Sequence, residues 1–480
     1  MTECNQQIFE FQALGSRKVQ ADFNGGYLSS DGGALLLRQV DGAYGLCERL
    51  AECFSDTRDA DLVEHELPVM LRQRISGLAL GYEDINDHER LRLDPLLAMV
   101  CGRADVLGAQ RQREQDKGKA LAGKSTLNRL ELSAQQTDGR YKKIAAHPGK
   151  IAALLLELGV QAIPRKSACI VLDFDATDDP VHGDQEGKFF HGYYGHYCYL
   201  PLYCFCGDIP MWAQLRSSDR DASDGTLEAL QQIVAAIRQR FGKHRPIVVR
   251  GDSGFCREAL MAWIESQENL HYCFGLARNR RLEAMLEPAW ERVALRVKQD
   301  VSGQGSAREF IELRYRTRQS WSRRRRVVAK AEIIGDKFNP RFIVTDLSGR
   351  EKWAPGLAQF GDGRALYEKF YCARGDMENR IKEQQLDLFA DRTSTAYLAS
   401  NQLRLWFSSF AYLLLGRLRA VALRGTRLAQ ATVGTIRLGL LKIAAQLTVS
   451  VRRIYVRMCS ACPMQDVFAQ AHARLRALSP

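Results

Sequence analysis

No apolar run in this sequence is long enough to cross a bilayer. The most apolar stretch, Leu405 to Leu415, stands between Arg404 and Arg417. A spanning helix needs about 20 apolar residues, so this stretch reads as a buried helix. The first residues, Met1-Thr-Glu-Cys-Asn-Gln-Gln, show no basic segment followed by an apolar one. No export signal is therefore read, and cytoplasmic placement is expected. A disulfide framework is missing too: the 13 cysteines are odd in number and irregularly spaced, as for reduced thiols in a cytosolic protein. Cys459 and Cys462 form a CxxC without the second pair that a zinc site needs. Cys204 and Cys206 place two thiols on one side of a strand and nothing more. The glycines around Asn24 to Gly33 do not stand in the strand–GxxxxGK[ST]–helix order of a phosphate-cradling loop.

What is present is a basic, globular composition. The 480 residues are 46% hydrophobic and 26% charged, with a formal charge of +12 and a pI near 9.1. Such a length predicts several domains. The positive excess favours a polyanionic partner, which with the membrane set aside is nucleic acid; a basic but ordinary enzyme is the alternative on charge alone.

Along the chain, residues 1–165 read as a mostly helical N-terminal, DNA-binding region, with helices expected over 67–80 and 149–159. Ser125 is placed to cap a helix displaying Asn128 and Arg129, either a DNA-contacting helix or a solvated basic one. Residues 166–280 change character. Strand 168–175 is followed by aromatic strands between Gly187 and Arg216. Then comes a helix with Leu227, Leu230, Val234, Ile237 and Phe241 on one stripe, strand 246–251, helix 257–266 and strand 271–277. Three strands, helix, strand, helix, strand is the order of an α/β ribonuclease-H-like fold, a mixed sheet with helices on its faces. Residues 281–350 alternate with period two and suggest a β-rich insertion. Its run Arg323, Arg324, Arg325 and Arg326 beside Trp321 reads as a hairpin tip, either a phosphate contact or a solvated turn. The last part of the catalytic domain falls at 351–395, with an acidic helix. A helical C-terminal region follows at 396–480, with amphipathic segments 396–424 and 429–449.

Three acids stand where a metal site for phosphoryl transfer needs carboxylates. Asp175 ends one apolar strand and Asp252 another, where ligands gather in open α/β sheets. Asp173 shares the face of Asp175, because strand side chains alternate, so either can be the first ligand. Glu378 lies on a helix with Tyr371, Arg374 and Lys382 spaced by three, four and four residues, which places them on one side. If Gly375 instead begins the helix, Tyr371 leaves that face. A carboxylate between Arg and Lys suits a metal ligand beside phosphates; a structural ion-pair lattice is the alternative. Two Mg2+ or Mn2+ ions, roughly 4 Å apart, need few protein ligands.

Several segments together resemble DDE-type transposases of bacterial insertion sequences, and insertion-sequence family 1380 in particular. These are Asn24–Leu37, Leu172-Asp-Phe-Asp-Ala-Thr177 with Val181–Gly187, Arg250-Gly-Asp-Ser-Gly-Phe255, Gly275–Asn279, and Tyr371-x-x-Arg374-Gly-x-x-Glu378-Asn379. The resemblance covers nearly the whole chain. It implies that Asp175 (runner-up Asp173), Asp252 and Glu378 are the catalytic metal ligands. It also implies that Tyr371, Arg374 and Lys382 hold DNA. The family pattern puts a Lys where this chain has Gln385, and Lys382 is the replacement one turn earlier. Cutting at terminal inverted repeats, joining of 3′-OH ends to target DNA, and a homodimer on double-stranded DNA follow from the resemblance. The alternatives are a nuclease of the same fold, a catalytically inactive DNA-binding derivative, and a glycosidase using Asp175 and Asp252 with aromatics from 193–205 lining a sugar cleft.

Overall fold

The computed structural model describes residues 7–134, 143–299, 306–335, 337–349 and 361–478. The expected boundary at residue 351 lies outside them. The chain divides into two compact units. One comprises Met1–Pro148, Asp387–Phe389 and Phe410–Pro480; the other comprises Gly149–Leu386 and Ala390–Ser409.

The second unit is built on a nine-stranded sheet. Its strands are β1 (Ile170–Ala176), β2 (Leu202–Cys206), β3 (Ile209–Gln214), β4 (Ile247–Gly251), β5 (Leu270–Leu276), β6 (Ser306–Tyr315), β7 (Arg325–Ile334), β8 (Lys337–Phe338) and β9 (Arg341–Thr345). The spatial order is β3-β2-β1-β4-β5-β9-β7-β6, with β8 on β7. The pairs β1–β4 and β4–β5 are parallel, and β1–β2 and β2–β3 antiparallel. The first five strands thus form the ribonuclease-H-like mixed sheet. All five residues of β4 are buried, as expected of a central parallel strand covered on both faces. Crossovers are made by helix α1 (Thr226–Phe241) and helix α2 (Glu258–Glu265). Helix α1 buries Ala229, Leu230, Ile233, Val234 and Ile237, close to the stripe read from sequence. They pack with Leu172, Phe174, Val249 and Phe274 of the sheet in one core.

The β-rich segment 281–350 does not make a separate sheet. Strand β9 pairs antiparallel with β5, and β7 with β9, so the same sheet simply continues. Helix α3 (Glu287–Gln299) buries Ala289 and Val293 in the same core.

The other unit is helical in its larger part, with Leu67–Ala79 carrying Pro68 in its first turn, where a missing N–H costs nothing. It also holds strands that the sequence reading did not give. Ala445–Val449 was expected to close a helix but is a strand, between Ile454–Met458 and Tyr27–Ser29. Its alternating burial, with Thr448 and Val449 β-branched, suits a strand. The C-terminal segment is therefore not wholly helical. It folds with the N-terminal residues in one unit, a long-range pairing that local periodicity does not reveal. Leu405–Leu415 lies inside helix Leu398–Arg417, and no described helix is long and apolar enough to cross a membrane.

Candidate active site

The two aspartates come together through strand register. Asp173 of β1 stands opposite Arg250 of β4. Continuing that parallel register by two residues sets Asp252 level with Asp175, on strands about 4.8 Å apart. Asp252 follows β4 and accepts a hydrogen bond from Gly254 N at 2.7 Å. A Cβ on Gly254 would lie only 2.9 Å from Asp252 Oδ1, so a side chain here would displace the Asp252 carboxylate. Asp175 Oδ1 accepts from Ala176 N at 3.1 Å, and Oδ2 faces Arg374 Nη1 at 3.4 Å. Burial pushes the Asp175 carboxyl up to about 7; Arg374 opposes this, while Asp252 and Glu378 add to it.

Asp173, by contrast, is already paired. Arg250 holds both of its oxygens, at 2.6 and 2.7 Å, and donates a third bond to Phe370 O at 2.6 Å. The guanidinium also lies 4.9 Å from the Phe370 ring centre. This buried ion pair ties β1 and β4 to the segment that leads into the acidic helix.

That segment is helical with changing pitch: a π turn at Leu366–Tyr371, a 3-10 turn at Cys372–Arg374, then helix α4 (Gly375–Lys382). Pitch changes of this kind are frequent at functional sites. Gly375 begins α4, so Tyr371 stands off the face shared by Arg374, Glu378 and Lys382. Its hydroxyl points toward Gly275 of β5, where a Cβ would meet Tyr371 Oη at 2.6 Å and Ser253 N at 2.8 Å. Burial pushes the Tyr371 hydroxyl up to about 12, against the pull of Arg374, to which it is hydrogen-bonded. Half-exposed Glu378 lies 3.6 Å from Arg374 Nη2. Arg374 thus sits between Asp175 and Glu378.

Asp175, Asp252, Arg374, Glu378 and Lys382 line one cleft of about 510 Å3. Among the described residues, no three His, Cys, Asp or Glu side chains stand close enough to hold a metal ion as they are. The acids share a cleft rather than a closed cage. Their chemistry nevertheless fits a hard divalent cation: the donors are carboxylate oxygens, and their mutual repulsion is offset chiefly by the single Arg374 guanidinium.

Of the arginine run, only Arg323 and Arg324 are exposed. Arg325 and Arg326 are buried within β7 rather than at a tip. Arg325 pairs with Glu258 and Glu265 and lies over Trp321; Arg326 pairs with Glu312 and donates to Leu347 O at 2.6 Å. The phosphate contact or solvated turn expected of the whole run does not apply to Arg325 and Arg326, which are taken by internal carboxylates. Arg323 itself contacts Glu265.

Three contacts at the cleft go beyond the sequence reading, which named Gln385 only as the position of the family's Lys, the aromatics 193–205 only as walls of a sugar cleft, and Gly275 only as part of a family segment. Gln385 lines the cleft and donates through Nε2 to Asp179 Oδ1 at 2.9 Å and Asp178 O at 3.3 Å. His191, Tyr193 and Tyr194 form another wall of the cleft, signalled only by the glycine-bracketed Gly192-Tyr193-Tyr194-Gly195. The close approach at Gly275 links β5 to the turn after β4 and to the helical segment at Tyr371. The nearby Tyr199, Tyr203 and Phe205 are core residues with no exposure.

Compared with known proteins, residues 11–480 match the family model described as "Transposase DDE domain group 1". A solved piggyBac transposase synaptic complex with hairpin DNA is similar at 10% identity, covering 85% of this chain and 80% of that one, with a TM-score of 0.38. No curated protein matches the sequence. The family match, not the weak structural likeness, places the chain.

Proposed function

Because the chain belongs to the family of DDE-domain transposases of group 1, it is a DNA transposase, and we propose that Asp175, Asp252 and Glu378 are the carboxylates of its active site. The observation that carries this is the single cleft joining two strand-end aspartates and one helix glutamate around Arg374. We assign the first position to Asp175 rather than Asp173, whose two oxygens are both committed to Arg250. Two Mg2+ or Mn2+ ions held there would stabilise the attacking and leaving oxygens of a phosphodiester as Lewis acids.

The remaining side chains bind and orient. Arg374 and Lys382 grip phosphate oxygens of the strand being transferred, Arg374 in two-pronged fashion. Tyr371 steadies Arg374 from behind. Gln385 does not replace the family's lysine, since its amide is engaged with Asp179 and Asp178. Arg323 and Arg324 contact phosphates beyond the cleft, and the N-terminal region grips the element ends. Within the family we place the chain nearest insertion-sequence family 1380, on the Tyr371, Arg374, Glu378 spacing. On this reading it cuts at terminal inverted repeats and joins 3′-OH ends to target DNA as a homodimer in the cytoplasm.

The test is strand joining. The purified full chain is incubated with Mg2+, a supercoiled target plasmid and pre-cut duplexes taken from the DNA flanking its coding sequence. Joined products that disappear in EDTA are expected. Nicking without joining would reduce the proposal to a nuclease; no metal-dependent cutting at all would overturn it.

A further inference from the structure

The aromatic wall of the cleft is not used by phosphoryl transfer. Between β1 and β2, short strands Phe189–His191 and His196–Tyr199 pair antiparallel around the turn Gly192-Tyr193-Tyr194-Gly195, with Gly195 at φ +75. The foot of this hairpin is fixed. Tyr199 Oη donates to Glu186 O at 2.6 Å, Ser218 Oγ to Phe189 O at 2.9 Å, and His196 Nε2 lies 2.7 Å from Asp178 Oδ2.

Its tip is uncovered. Tyr193 is 86% exposed, Phe190 58% and Tyr197 52%. A turn of this kind is ordinarily Gly, Asn, Asp or Ser. Two adjacent tyrosines on a fixed tip expose ring surface that the fold does not use, and such a patch marks a binding site. Tyr194 stands 4.9 Å from His191 and 5.0 Å from Tyr193 between ring centres. The Tyr193–Tyr194 contact is edge-on at 86°, so the face of Tyr193 is not stacked within the protein. His191 Nδ1 is buried without a hydrogen-bond partner. Lys188 Nζ lies 5.5 Å over the Tyr197 ring while pairing with Asp184 at 3.0 Å.

The occupant follows from what shares the cleft. His191, Tyr193 and Tyr194 line the same space as Asp175, Asp252 and Glu378. A nucleotide whose phosphate lies at the carboxylates has its base within that space. In an intact duplex the base is stacked on its neighbours and offers no face, so an aromatic side chain can take it only after it has left the stack. We propose that the Tyr193–Tyr194 tip is a stacking site for an unpaired nucleobase of the strand being cut, so that DNA is held with the base pair beside the scissile phosphate opened. This rests on the transposase reading, which puts a phosphodiester at the carboxylates. Stacking tolerates any base, because every base has a π face.

The test measures binding of the full chain in EDTA, by fluorescence anisotropy at one fixed salt concentration. The two probes are a fully paired duplex of arbitrary sequence and the same duplex with a central mismatched bubble. The wild-type chain is expected to favour the bubble by roughly 5- to 160-fold, the range that stacking on an aromatic ring gives. Tyr193→Ala, or the double variant Tyr193→Ala/Tyr194→Ala, should lose that preference and keep its paired-duplex Kd and its Tm. Tyr193→Trp should retain the preference. Equal affinity of the wild type for both probes, an undiminished preference in the double variant, or equal weakening on both probes would each overturn the stacking site. Metal-dependent joining is measured separately. Joining without bubble preference sinks only the stacking site, and bubble preference without metal-dependent cutting sinks only the assigned catalytic role.

Discussion

Asp173 and Asp175 are two residues apart on one strand and differ in what holds their oxygens. Burial raises the Asp173 carboxyl as well, against the pull of Arg250, but Arg250 holds both of its oxygens, and removing one partner of such a buried pair costs about 3–5 kcal/mol. Asp175 is buried beside other acids, with its carboxyl raised to about 7. A carboxyl whose folded pKa is raised binds its proton more tightly when folded. Its contribution is therefore lost as pH rises from the unfolded value, about 3.9, through about 7. Opposite results are expected from thermal melts in EDTA at pH 8. Asp173→Asn lowers Tm. Asp175→Asn raises it, by an amount corresponding to at most about 4 kcal/mol at 1.36 kcal/mol per pKa unit, and the gain vanishes below pH 4. Equal destabilisation by both variants would contradict this. Alternation along the strand was enough to put both acids on one face. It did not separate them, because the residue that does so, Arg250, acts through a register that only the paired strands define.

At the scale of elements, the acidic helix is held by long-range contacts. Gly275→Ala places a methyl group against Tyr371 Oη and Ser253 N. Overpacking of this kind costs about 1–3 kcal/mol, and here it pushes Tyr371 away from Arg374. Denaturant melts should show the lost stability, and cleavage should fall with it. Substitutions in the arginine run should divide by burial. Arg324→Ala leaves Tm unchanged, Arg323→Ala lowers it slightly through the lost contact to Glu265, and the double variant reduces the slope of log Kd for DNA against log salt by about 1–2, at roughly 0.9 per phosphate contact. Arg326→Ala lowers Tm through the loss of its bonds to Glu312 and Leu347 O. The order of the first five strands and the stripe of α1 were legible because each is a local pattern. Two things were not: β9 joining β5, and Ala445–Val449 pairing with Tyr27–Ser29. Both join residues distant in the chain, where periodicity gives a strand's existence but not its neighbour. Arg325 and Arg326 were misplaced for a related reason. Glu258, Glu265 and Glu312 lie on other elements, and the sequence shows four positive charges without their partners.

For the whole molecule, the +12 charge suits phosphate-dominated DNA binding, and the proposed site needs divalent metal in the cleft for cutting. Chelation by EDTA should abolish cutting and leave DNA affinity nearly unchanged, and Mg2+ or Mn2+ should restore activity. The sharpest measurement is single-turnover nicking, in Mg2+, of a supercoiled plasmid carrying the DNA that flanks the coding sequence. Asp175→Asn, Asp252→Asn, Glu378→Gln and Asp173→Asn are compared at a temperature where all four are folded. The cleft geometry predicts a loss of at least about 10^3-fold, or about 4 kcal/mol in the barrier, for the first three, with metal-dependent nicking kept by Asp173→Asn. Active Asp175→Asn beside inactive Asp173→Asn would contradict it.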